Sequence, residues 1–99
     1  MRIINGTALY PDGSLRPADL SVEGGRIAAL TAPSGLNGDF DAAGCYVTPG
    51  LVDIHVHGVM GDDTSDGTPN ALDTMRTYLG SQGVTSFLGT TMDPECLLE

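Results

Sequence analysis

Two histidines one residue apart, His55 and His57, are the residues here whose type and spacing point most directly to chemistry. They lie in Asp53-Ile54-His55-Val56-His57-Gly58, after the apolar run Val47-Thr48-Pro49-Gly50-Leu51-Val52. That run reads as a buried strand. Side chains two apart on a strand share a face. Asp53, His55 and His57 are therefore expected to point the same way, at a strand end that closes on Gly58. Paired imidazoles at such a place suit a divalent metal. They supply two ligands, whereas a structural or catalytic site takes three or four. The chain has no other histidine, so the remaining ligands must come from elsewhere. On the pair alone, two packed or solvated histidines with no ligand role are an equally good reading.

The elements that must position the pair follow from pattern. Arg2–Ile4 and Thr7–Tyr10 read as short β segments around Asn5-Gly6, and Pro11-Asp12-Gly13-Ser14 as a turn. Ala18–Glu23 alternates apolar and polar residues, and Gly24-Gly25 reverses the chain into Arg26–Leu30 as a hairpin would. Thr31–Gly38 reads as a loop. Phe40–Ala42 and Cys45–Val47 read as a further pair of short strands around Gly44. The first 48 residues are thus expected to form a small antiparallel sheet, too small to bury much alone.

The pattern changes at Thr48-Pro49-Gly50. Leu51–Val56 is apolar on both faces apart from its Asp and His positions, as in a parallel strand covered by helices. A Gly/Asp/Thr-rich loop runs from Gly58 to Gly67. Thr68 then reads as a helix N-cap with Pro69 at the first helical position. Ala71, Leu72, Met75, Tyr78 and Leu79 form an apolar stripe at helical spacing. Gly83 stands where a left-handed C-terminal cap belongs. Val84–Leu88 reads as a second apolar strand, ending at Gly89-Thr90-Thr91. Strand, loop, helix, strand predicts one βαβ unit with a parallel pair.

Composition excludes some classes of partner. The net charge is −9, with four Arg and no Lys. Nucleic acid needs a basic patch, so neither nucleic acid nor an anionic membrane surface is an expected partner. No N-terminal segment resembles a signal peptide, and no run approaches the roughly 20 apolar residues of a membrane span. Cys45 and Cys96 lie far apart and form no CxxC pair. A reduced, cytoplasmic protein is the expectation.

A short β-rich start leading into Thr48-Pro49-Gly50-Leu51-Val52-Asp53-Ile54-His55-Val56-His57-Gly58 resembles the opening of the amidohydrolase superfamily. Gly61-Asp62-Asp63-Thr64, then Thr68-Pro69, then Gly83-Val84-Thr85-Ser86-Phe87-Leu88-Gly89-Thr90-Thr91-Met92 resembles its N-acetylglucosamine-6-phosphate deacetylase branch. Gly89 stands where that branch frequently has Pro. The resemblance implies an α/β fold: the N-terminal part of a (β/α)₈ TIM barrel of the metal-dependent-hydrolase type, preceded by a small β-sandwich segment. The implied division is 1–48 for the sandwich segment and 49–99 for the first βαβ unit. A barrel takes about 250 residues, so these 99 read as an N-terminal piece.

The resemblance also implies roles. His55 and His57 become ligands of one of one or two divalent metals, zinc or iron. The implied reaction is hydrolysis of the N-acetyl group of an N-acetylated amino-sugar phosphate, giving acetate and glucosamine 6-phosphate, in an enzyme that is homodimeric when full length. No catalytic residue is assigned here, because the general base and remaining ligands are implied beyond residue 99. Asp53 reads either as a group orienting an imidazole or as a hydrogen-bonding Asp with no metal role. Asp62, Asp63 and Asp66 read mainly as solvated loop acids, and Thr90 and Thr91 as strand-end residues near the pocket. Dihydroorotases and hydantoinases are the alternative within the superfamily. They tend to carry an Arg soon after the paired histidines, whereas the first basic residue after His57 here is Arg76. The alternative outside enzymology is a non-catalytic fragment or assembly module. The 99-residue chain alone is expected to be inactive.

Overall fold

The computed structural model describes residues 1–92, in two units: Met1–Pro49, and a second that begins at Gly50. The first unit is one mixed sheet. Its strands are β1 (Arg2–Leu9), β2 (Leu15–Glu23), β3 (Arg26–Thr31), β4 (Phe40–Asp41) and β5 (Tyr46–Val47). β3, β2 and β1 are antiparallel neighbours joined by tight turns. Gly24 and Gly25 close the β2–β3 hairpin with φ of +56° and +75°. Two central residues of positive φ match the twist of the flanking strands, which is why Gly-Gly serves there.

Two expectations need correction. Arg2–Ile4 and Thr7–Tyr10 are not separate segments but one strand, continuous through Asn5-Gly6. Asn5 takes the left-handed conformation (φ 61°), and the register against β2 slips between Ile3 and Gly6. A bulge absorbs the irregularity without ending the strand. Phe40–Asp41 and Tyr46–Val47 do not pair with each other. Both add in parallel to the edge of β1, Ile3 opposite Phe40 and Thr7 opposite Tyr46. The sheet is therefore mixed, a single layer. The chain between β4 and β5 makes a tight turn, with the Cys45 amide donating to the Ala42 carbonyl at 2.9 Å. That turn faces the bulge, where the Asn5 side-chain amide donates to Asp41 Oδ1 at 3.0 Å. Gly6 is required beneath it. A Cβ there would stand 2.6 Å from Val47 Cγ2 and 3.2 Å from Ala42 Cβ.

One carboxylate organises this unit. Asp19 is 3% exposed and gathers four donors. Ser34 gives its hydroxyl at 2.6 Å and its amide at 2.9 Å. The Asn5 amide and the Arg2 guanidinium follow at 3.1 and 3.4 Å. The Ser34 hydroxyl and amide, with Asn5 and Arg2 adding to them, hold the carboxyl below its ordinary value against the opposing pull of burial. A depressed folded pKa contributes stability that is present above the unfolded value of about 3.9 and is lost as pH falls through the folded value. The melting temperature is expected to fall on acidification below about pH 4. Asp19→Asn should lower it by several degrees at neutral pH and flatten its slope in that acid window. Thermal melts from pH 2 to 7 check this. An unchanged slope in Asp19→Asn would assign the acid sensitivity to another carboxylate.

The second unit is a βαβ arrangement. β6 (Leu51–Val56) and β9 (Val84–Gly89) run parallel, joined through helix α1 (Pro69–Ser81). Between β6 and α1 lie a two-rung hairpin, β7 (Gly58–Val59) and β8 (Asp62–Asp63), and a 3-10 turn over Thr64–Asp66. Thr68 caps α1, its hydroxyl oxygen accepting from the Ala71 amide at 3.2 Å, and Pro69 opens it. Gly83 follows the helix at φ +83°. The apolar stripe divides. Ala71, Met75 and Leu79 are buried, while Leu72 and Tyr78 are exposed. The helix packs on β7, β8 and β9. Leu51, Val52, Ile54 and Leu88 remain exposed, so the expected burial of the strands on both faces is not realised. One helix covers only part of a two-stranded sheet. Among the described residues there is one βαβ unit and no closed barrel. Cys45 is exposed, and Cys96 lies outside the described residues.

Candidate metal centre

β6 delivers the histidines to its C-terminal end. Parallel pairing with β9 fixes this end of the strand: Val56 stands opposite Gly89, and the Thr90 amide donates to the Val56 carbonyl at 2.8 Å. Thr91 follows next to Thr90, so both threonines lie just past the end of β9. His55 is exposed and His57 half-buried. Their rings meet edge to face, with centroids 5.0 Å apart and planes at 76°. The two Nε2 atoms are 3.2 Å apart.

That separation fits a shared cation. At zinc–nitrogen bonds of about 2.0–2.1 Å, two nitrogens at a tetrahedral angle stand about 3.3 Å apart. The same pair can also share a proton, one Nε2–H donating to the other Nε2. In either state a ring nitrogen is left to satisfy. Nδ1 of His57 is buried with no hydrogen-bond partner among the described residues. A ligating histidine normally donates this second N–H to a carboxylate, carbonyl or water. Among the described residues, no group of three or more His, Cys, Asp or Glu side chains gathers to hold a metal. The pair offers half of a tetrahedral set.

Asp53 shares the strand face and engages the backbone, its Oδ1 accepting from the His55 amide at 3.0 Å. Of the two roles open to it, the hydrogen-bonding one is observed. The loop after His57 is more ordered than solvated acids would suggest. Met60 and Gly61, at φ 57° and 90°, close β7 onto β8 as a two-residue hairpin. Asp63 then caps the 3-10 turn. Its Oδ1 accepts from the Ser65 amide at 2.7 Å, and its own amide donates to Asp66 Oδ2 at 2.7 Å. The Ser65 donors, reinforced by the nearby His57 ring, hold the Asp63 carboxyl below its ordinary value. Asp62 forms a rung of the hairpin opposite Val59. An Asp with a second Asp three residues on is the sequence signal for this cap, in the manner of a capping box. Asp66 is exposed and Asp63 half-buried, loop acids as expected, with a capping role added.

This loop folds back on the end of β6. The Thr64 amide donates to the His57 carbonyl at 2.7 Å. Thr64 Oγ1 reaches Met75 Sδ at 3.7 Å, tying the loop to the helix core. Gly58 makes the fold-back possible. A Cβ there would strike the Asp62 carbonyl oxygen and stand 2.8 Å from Asp63 Cα. Both are backbone atoms, which no rotamer change can move aside. Gly58→Ala is expected to cost about 1–3 kcal/mol, the usual range for an overpacked site. It should also perturb His57 more than His55. Chemical denaturation and the two histidine ring NMR signals check this. A silent substitution would show that the hairpin does not hold His57.

No family model matches the chain. It is 30% identical over 92 residues to N-acetylglucosamine-6-phosphate deacetylase of Lysinibacillus sphaericus, covering 91% of this chain and 24% of that protein. The same enzyme of Bacillus subtilis is 45% identical over 53 residues, covering 54% of this chain and 13% of the relative. Proteins named dihydroorotase and D-hydantoinase match a similar share of the chain. A crystal structure of a prolidase complexed with N-methylphosphonate-L-proline superposes with a TM-score of 0.59 at 25% identity, over 87% of this chain and 24% of the other. The chain is an amidohydrolase-superfamily segment. The relatives carry the names of hydrolytic enzymes of that superfamily, whose members are generally dependent on divalent metals. The segment spans 13% and 24% of the length of the two deacetylases. Among the described residues, no helix is long and apolar enough to cross a membrane.

Proposed function

We propose that this segment contributes the first metal-binding strand of a TIM-barrel amidohydrolase of the N-acetylglucosamine-6-phosphate deacetylase type. The observation that carries the reading is the pair of Nε2 atoms 3.2 Å apart at the C-terminal end of a parallel strand. Barrel active sites are built at that end of the strands. His55 and His57 would hold the cation through Nε2, each ring then carrying its proton on Nδ1. A divalent cation bound there would polarise the substrate carbonyl and acidify a water molecule. Asp53 fixes the His55 backbone, and Thr64 fixes the carbonyl of His57. The backbone that carries the two rings is thereby fixed before any ligand arrives, which limits the ordering cost of binding to the side chains.

The deacetylase reading is favoured over the dihydroorotase or hydantoinase reading by one residue. Arg76, the first cation after His57, is engaged on the helix surface by Asp73 at 3.2 Å and is 71% exposed. It is not offered to a substrate carboxylate beside the pair. The test is direct. The parent polypeptide carrying this segment, loaded with zinc or iron, should release acetate from N-acetylglucosamine 6-phosphate. It should turn over dihydroorotate and hydantoin poorly or not at all. Preferred turnover of either ring substrate would overturn the assignment. The 99-residue chain alone should release no acetate, since two imidazoles do not complete the metal's ligand set.

A further inference from the structure

The chain contains the dipeptide Asn-Gly twice, at Asn5-Gly6 and Asn37-Gly38. The two copies sit in opposite surroundings. We propose that Asn37 is a site of spontaneous conversion to aspartate and isoaspartate, and that the fold holds Asn5 against the same reaction.

The reaction needs no enzyme. The backbone nitrogen of the following residue loses its proton to solvent base and attacks the asparagine Cγ. A nitrogen–Cγ bond forms, the Cγ–Nδ2 bond breaks, and ammonia leaves. Water then opens the resulting succinimide at Cγ to give aspartate, or at the α-carbonyl to give isoaspartate. Glycine next in line favours the attack because it has no Cβ to obstruct it and the widest backbone freedom.

Asn37 meets every requirement. It is exposed and lies in neither strand nor helix, as does Gly38. Neither the Asn37 side chain nor the Gly38 amide has a hydrogen-bond partner among the described residues. The fold also demands the glycine that makes the pair reactive. A Cβ on Gly38 would stand 2.6 Å from Ile4 Cγ2 and 3.0 Å from the Arg2 carbonyl oxygen. Asn5 is the reverse case. Its side-chain amide is held by Asp41 at 3.0 Å and its backbone amide by Asp19 at 3.1 Å. Gly6 is buried and lies opposite Ala18 in the β1–β2 ladder. Its nitrogen can reach Cγ of Asn5 only if the bulge opens.

Conversion at residue 37 would be felt. The reactive pair lies between two anchors. On one side the Leu36 amide donates to Ser34 Oγ at 3.2 Å. On the other, Asp39 accepts from the Arg2 amide at 2.7 Å and faces the N-terminal ammonium at 4.0 Å. Isoaspartate adds a methylene to the backbone between them and a carboxylate two residues from Asp39.

The experiment is incubation of the folded chain in mildly alkaline buffer, followed by peptide mapping by mass spectrometry and isoaspartate labelling with an isoaspartyl methyltransferase. Asn37 should convert at least about tenfold faster than Asn5, the ratio that about 1.4 kcal/mol of local opening free energy imposes. Asn70, followed by Ala71, is the internal slow reference. In denaturant Asn5 should rise to the rate of Asn37 while Asn70 stays slow. Three results would overturn the proposal: Asn5 matching Asn37 in the folded chain, Asn37 no faster than Asn70, or Asn5 staying slow in denaturant.

Discussion

His57→Ala and His55→Ala are each expected to lower metal affinity by at least about 100-fold in the parent polypeptide, and hydrolytic activity with it. Losing a group that merely supports a ligand costs about 10–100-fold, and losing the ligand itself must cost more. The geometry makes a sharper statement than the magnitude. On the proposed reading the Nε2 atoms, 3.2 Å apart, would act as one chelating unit, so the two single variants and the double variant should be nearly equal. Groups that act as a unit are non-additive in this way. The alternative state, a proton shared between the rings, predicts otherwise. Each single variant would then leave the remaining ring without its hydrogen-bond partner and leave metal affinity unchanged. Calorimetric titration with zinc or cobalt separates the two. Unaltered affinity in either single variant would remove the metal assignment.

The large elements are legible in the sequence where local chemistry is explicit. Thr68-Pro69 and Gly83 bracket α1 because capping and left-handed termination depend on residues adjacent in the chain. β6 and β9 are legible as apolar runs, and their parallel pairing as the consequence of a helix between them. What stays hidden depends on partners distant in sequence. Nothing local to Phe40–Asp41 or Tyr46–Val47 says that both add in parallel to β1. The bulge at Asn5 is stabilised by Asp19 and Asp41, which sequence spacing does not bring together. The β7–β8 hairpin is hidden because Met60-Gly61 is no usual signature for two residues of positive φ. At the candidate site the histidines are legible, but their support is not. Thr64 and Met75 read as an ordinary loop residue and an ordinary core residue, and only the fold joins them to His57.

That connection gives the prediction with the largest effect on stability. Met75 is fully buried, the largest such side chain among the described residues. Met75→Ala leaves a cavity under β7, β8 and β9, and is expected to cost about 2–5 kcal/mol. The same change removes the sulfur that receives the Thr64 hydroxyl at 3.7 Å. Thr64 in turn holds the carbonyl of His57. Met75→Leu separates these two effects. It keeps the volume and should cost less than about 1.5 kcal/mol, yet it also lacks the sulfur. If the core acts on the histidines through packing, the Leu variant keeps the His57 ring signal and the protection of the Thr64 amide from exchange, while the Ala variant loses both. If the sulfur contact is what matters, both variants lose them together. The packing outcome is the expected one, because a thioether accepts hydrogen bonds only weakly whereas a cavity lets the whole hairpin settle towards the helix.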